Sequence, residues 1–155
     1  MTTLTHYSKK PFTGPVKGKR QNAGAACERF KPRGLWFSVD QADSYGWKQW
    51  CESEGYCLDS LDYQAAIALH EQANILRIET GDALCELADR FGRPDKDDMD
   101  YDQMDWVRIA AAYQGIIIAP YQWGCRLSPS WYWMWDCASG CVWNPKAIAE
   151  VRPFH

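Results

Sequence analysis

Residues 34–55 read GLWFSVDQADSYGWKQWCESEG, and the change of pattern inside this stretch decides the fold class. Leu35-Trp36-Phe37-Ser38-Val39 follows a Pro and a Gly, is dense in strand formers and runs at Asp40 into turn-forming residues, so it predicts a short buried strand. Beyond it Ser44 offers a helix cap, Trp47, Trp50 and Cys51 recur at i, i+3 and i+4, and Gly55 stops the pattern, which predicts a helix. A strand and a helix joined this closely are neighbours, so the rings of Trp36 and Trp47 are expected to flank one concave site.

Strands and helices continue to interleave on the C-terminal side. Residues 63–79 can be one long helix or two strands joined around His70 to Ala73; a strand over Asn74–Glu79 is preferred, followed by a helix over Asp82–Phe91. Asp105 is expected to cap a helix running to Tyr113, with Gly115 ending it and Ile116-Ile117-Ile118-Ala119 forming a buried strand that Pro120 terminates. Trp131–Asp136 reads as an aromatic strand, and Val142-Trp143 begins another after a turn at Ala138-Ser139-Gly140. The elements lack regular βαβ spacing, which predicts an α+β domain, a mixed or antiparallel sheet with flanking helices, over residues 1–155.

With 155 residues, 46% apolar and 24% charged, the chain suits one domain with its own core. It has no apolar run long enough to span a membrane and no basic start followed by an apolar stretch, so neither a membrane segment nor a secretory signal is expected. Seven cysteines, an odd number without a CxxC pair, point to a reduced, cytoplasmic protein. Residues 1–33 hold eight basic side chains against Glu28 alone, although the whole chain carries a net charge of -3. This predicts a mobile basic segment over about residues 9–33 that either meets phosphates on a partner or neutralises the chain's own acidic body. An acidic loop is expected at about 93–104; it lacks the glycine and terminal glutamate of an EF-hand. Nine tryptophans, four of them between Trp123 and Trp135, either fill a core or line a groove.

There is no GxSxG elbow, no GxxxxGKS/T loop and no GxGxxG after a strand, which argues against a serine hydrolase, a P-loop enzyme or a Rossmann domain. The three histidines are His6, His70 and His155. A Cys nucleophile paired with His6 or His70 stays open. Cys137 and Cys141, spaced C-x3-C with no His near, are expected to be metal-free packing residues. Asp136 is the only acid between Asp105 and Glu150.

The blocks His6-Tyr7-Ser8, Lys31-Pro32-Arg33-Gly34-Leu35-Trp36-Phe37-Ser38, Trp47 to Trp50, Tyr113 to Tyr121 and Trp135 to Trp143 form an ordered set. That order resembles small phage and microbial proteins of uncharacterised role that share Gly-Leu-Trp-x-Ser and Ser-Gly-Cys-x-Trp blocks, and more distantly the ADP-ribosyltransferase-like superfamily. The resemblance implies an NAD-dependent transferase that breaks the nicotinamide-ribose bond and passes ADP-ribose to an acceptor, a host protein or nucleic acid among the possibilities. By the same resemblance His6 would bond the nicotinamide ribose and act in the chemical step, Ser38 would close the second block, and Trp36 or Phe37 would line the nicotinamide pocket. Tyr7, Ser8, Gly34 and Trp47 complete the expected NAD contacts. Asp136 would be the late acid that stabilises positive charge on the ribose. A reading from a different class remains beside it: a non-catalytic binding or inhibitor protein that engages a host protein or nucleic acid through its aromatic and basic surfaces.

Overall fold

In the computed structural model, which describes residues 2–22, 30–41, 44–94 and 102–154, the predicted strand at Leu35–Asp40 (β2) lies mid-sheet. Its neighbours are β1 (Thr3–Ser8) on one side and β8 (Ser139–Val142) on the other, both antiparallel. The full order is β4-β7-β8-β2-β1-β3-β9, with β3 at Tyr63–Leu69, β4 at Ile75–Ile78, β7 at Gly115–Ile118 and β9 at Ile148–Phe154. Among the described strands only β4 and β7 pair in parallel. Helices α1 (Trp47–Glu54), α2 (Gly81–Phe91) and α3 (Trp106–Ala112) complete a mixed α+β domain. A short pair, β5 (Gly92–Pro94) with β6 (Asp102–Met104), replaces both ends of the expected acidic loop; residues 95–101 lie outside the described residues. Among the described residues no helix is long and apolar enough to cross a membrane.

The strand preferred over Asn74–Glu79 is found as β4, and of the two readings left open for residues 63–79 the two strands are the one observed, but β3 and β4 do not pair. Five strand spacings separate them, about 24 Å in a flat sheet. The link through residues 70–74 reaches at most roughly 22 Å fully extended, and it contains a turn in which Ala73 N–H donates to His70 O. The sheet therefore coils until its two ends approach, and Leu69, Ile75, Ile148 and Val151 pack against one core. All four residues of β7 and of β8 are buried, because these central strands are covered on both faces.

Several local expectations are corrected. Trp131–Asp136 is not a strand: Ser130–Met134 forms a 3-10 turn, with Trp131, Tyr132 and Trp135 inward and Trp133 and Met134 outward. Ser139 and Gly140 belong to β8 rather than to a turn, and Gly115 opens β7 instead of ending α3, which is capped by Tyr113. Ser44 does not cap α1. Its hydroxyl donates to Val39 O and accepts from Gln41 N–H, and Gly46 takes the cap position. Asp105 does cap α3, accepting from Arg108 N–H, and it also binds Arg93.

The expected basic segment has no regular structure over residues 9–22, with residues 23–29 outside the described residues, yet it is pinned at Lys19 and Gln21. Lys19 N–H donates to Trp143 O, and the Gln21 amide bonds both the carbonyl and the N–H of Arg33. The anchors are backbone groups and a neutral amide, while Lys17, Lys19 and Arg20 are exposed. Reversing those three charges to Glu is expected to leave the melting temperature nearly unchanged, within about 0.5 kcal/mol per surface substitution. A large loss in a thermal melt would show that the charges themselves hold the segment to the acidic body.

Candidate functional site

The β1–β2 ladder runs from Thr3↔Asp40 to Thr5↔Ser38 and stops there. His6, Tyr7 and Ser8 pair only with β3, so β1 and β2 fork at this point. His6 sits in the fork, where its Nδ1–H donates to the Trp36 carbonyl oxygen at 2.7 Å. A carbonyl can only accept, so in the neutral ring Nε2 is left as the acceptor.

A cavity of about 240 Å³ opens at the fork. β1 contributes His6 and Tyr7, β2 contributes Trp36, Phe37 and Ser38, and α1 contributes Trp47; Ser60 and the segment Asp136, Cys137 and Ser139 close the far side, with Lys31 alongside. Trp36 and Trp47 thus flank one concavity, as the short connection between their elements required. The Trp47 ring stacks on Trp50 at 4.9 Å, and its Nε1–H donates to Ser60 Oγ at 2.9 Å. The Trp36 ring meets Trp135 at 4.9 Å, and its Nε1–H donates to Pro32 O at 3.2 Å. With their N–H groups satisfied, both rings are held in place and offer apolar surface to the cavity.

Two expected NAD contacts are placed elsewhere. Ser8 does not line the cavity, and its hydroxyl donates to Lys10 O at 2.7 Å. Gly34 also lies outside the lining: a Cβ there would come within 2.4 Å of Val142 O and 2.6 Å of Cys141 Sγ. Glycine at position 34 answers the close approach of β8, not a ligand.

Ser38 and Tyr7 are tied into the frame of the site. Ser38 Oγ donates to Asp40 Oδ1 at 2.6 Å and accepts from Trp47 N–H at 2.8 Å, so this hydroxyl caps α1 where Ser44 was expected to. Tyr7 Oη–H donates to the other Asp40 oxygen at 3.2 Å. Burial and the Asp40 carboxylate push the Tyr7 phenol far up, so it stays a donor. A Cβ at Gly46 would fall 2.6 Å from both Asp40 Oδ1 and Ser38 Oγ, which is why glycine stands at the cap.

Asp136 is half-buried, and among the described residues its carboxylate accepts no hydrogen bond. Burial pushes its carboxyl pKa above the ordinary carboxylate range, opposed by the charges of Lys31 and Arg126. Lys31 is the main group that sequence reasoning missed. Counted there as one more charge of the basic segment, it lies with Nζ 5.2 Å from the centre of the Trp36 ring, and burial lowers its amine while Asp136 works the other way. Its only sequence signal is membership of the Lys-Pro-x-Gly-Leu-Trp block. Cys137 shares the cavity with His6, but burial pushes its thiol up to about 12, so it is not an activated nucleophile at neutral pH. Cys137 and Cys141 are free, buried thiols packed as compact apolar groups. Of the other acids a strand might deliver, Glu79 and Glu150 line separate hollows.

No family model, curated protein or solved structure matches the chain.

Proposed function

We propose that the chain is an ADP-ribosyltransferase-like enzyme that takes the nicotinamide end of NAD into the fork between β1 and β2. The observation that carries this reading is the meeting of His6, Trp36, Ser38, Trp47 and Asp136, drawn from three distant parts of the chain, around one aromatic-walled cavity. The fit is reasonable in size: about 240 Å³ is below the roughly 300–1,000 Å³ of pockets that enclose whole ligands, so the cavity suits one ring and its ribose, with the rest of the dinucleotide outside. When bound, the substrate supplies a C1′–N bond whose electron pair leaves with neutral nicotinamide, while the acceptor bonds C1′ and gives up a proton. The chain's own groups would serve that change as follows. His6 Nε2, with its tautomer set by Trp36 O, accepts from a ribose hydroxyl. Trp36 and Trp47 wall the ring, and Asp136 holds negative charge where positive charge develops on the ribose. The Cys137 thiol takes no part as a nucleophile. The six cysteines among the described residues are free thiols, which suits the reducing cytoplasm in which such an enzyme would work.

Titration with NAD is expected to quench tryptophan emission through Trp36, with Trp36→Phe losing most of the change, and incubation is expected to release nicotinamide. No emission change at millimolar NAD together with no nicotinamide would overturn the reading. That outcome would favour the non-catalytic alternative, for which one observation speaks: Trp123 and Trp133 are each 55% exposed, with Leu127 75% and Met134 40% exposed, in one short segment. Such exposed apolar side chains suit a partner protein.

A further inference from the structure

We propose that Cys85 on α2 and Cys125 on the turn Trp123–Cys125 are a thiol pair that a peroxide closes to a disulfide, clasping the helix to that turn. The inference is independent of the reading given to the β1–β2 cavity. Cys125 Sγ lies against the first turn of α2, 3.9 Å from Gly81 O, and a Cβ built at Gly81 would meet this sulfur at 3.0 Å. The sulfur therefore occupies the space that a side chain at position 81 would fill. Cys85 stands one helical turn further on, and side chains on a helix lean toward its N-terminus, over the preceding turn. That lean brings Cys85 Sγ toward the place where Cys125 Sγ lies, and Cys85 is among the groups that raise the Cys125 thiol.

Their environments differ in a useful way. Cys85 is exposed on the helix surface, whereas Cys125 is partly buried, and burial together with Cys85 and Asp82 raises its thiol. The exposed thiol is the one an oxidant reaches. Cys85 as thiolate attacks one peroxide oxygen, the O–O bond breaks, and a sulfenic acid and water form. Cys125 then attacks the Cys85 sulfur, the S–O bond breaks, and a second water leaves with the Cys125 proton. Two thiols and one hydrogen peroxide thus give one disulfide and two waters.

The turn that would be clasped carries Trp123, whose ring packs on Tyr45 at 5.1 Å and on Tyr121 at 4.8 Å. Closing the bond fixes this exposed ring to α2 through a link between distant parts of the chain.

The test treats the full chain with stoichiometric hydrogen peroxide, blocks free thiols and maps peptides without reduction. The expected result is one cross-linked peptide joining Cys85 to Cys125, a rise in melting temperature, and reversal of both by dithiothreitol. In Cys125→Ser the reaction should stop at Cys85, which a dimedone adduct reports; Cys85→Ala, at an exposed helix position, should remove both the cross-link and the adduct. Peroxide-treated protein in which both thiols still alkylate, or in which the cross-link joins other cysteines, would overturn the proposal.

Discussion

Asp136→Asn is expected to leave NAD binding intact while turnover falls by about two orders of magnitude or more, the range seen when one electrostatic group is removed from an active site. The amide keeps the shape of the carboxylate and removes its charge, so the Trp36 and Trp47 walls still hold the ring. On the proposed reading the same group sets an acid limb. Burial raises the Asp136 carboxyl, so the ionised form is lost at a higher pH than for an ordinary carboxylate, and turnover should decline as pH falls through that raised value. The Asn variant should lack this limb. Nicotinamide release measured across pH checks both statements, and unchanged turnover in the variant would clear Asp136 of the role.

The second large effect concerns stability. Trp135 is 1% exposed, and its ring meets Trp36, Trp106, Trp131 and Tyr132. Its Nε1–H donates to Phe30 O at 3.2 Å. Trp135→Ala opens a cavity at the centre of this cluster and removes the Trp135 hydrogen bond to Phe30 O. A loss of about 3–5 kcal/mol is expected, against a total that is typically about 5–15 kcal/mol. Urea unfolding should show a much lower midpoint for Trp135→Ala, while Trp133→Ala, two residues away but exposed, should shift it by no more than about 0.5 kcal/mol. Equal effects at the two positions would contradict the burial pattern of this turn.

These two tryptophans also show where sequence reading stopped. In Trp131–Trp135 every side chain is large and apolar, so no polar residue marks the outward face. The inward set, Trp131, Tyr132 and Trp135, follows a helical spacing that period counting cannot see without such contrast. By comparison β2 and β7 were legible because β-branched or aromatic runs end at Asp40 and Pro120, and α2 and α3 because capping residues, Thr80 and Asp105, mark where they begin. The separation of β3 from β4 was not legible, because local pattern says where a strand is and not which strand it joins. The site divides in the same way. Trp36 and Trp47 follow from a short connection, whereas His6 and Asp136, singled out by the scarcity of histidines and of late acids, were given their roles only by a family resemblance. Lys31 was hidden because a charge count treats all lysines alike, and only coordinates separate a half-buried amine beside a ring from the exposed Lys17 and Lys19.

The position of β8 bears on how the chain acquires its shape during synthesis. Ser139–Val142 is inserted between β7 and β2, so the strand that joins the two parts of the sheet is translated after nearly every strand it unites. Until those residues leave the ribosome, β2 and β7 each present an unpaired edge rich in Ile, Leu, Trp and Phe, the kind of edge that recruits strands from other chains. Nascent chains stalled before residue 139 are therefore candidates for chaperone capture, whereas chains that have released β8 and β9 can close the ladder within one molecule.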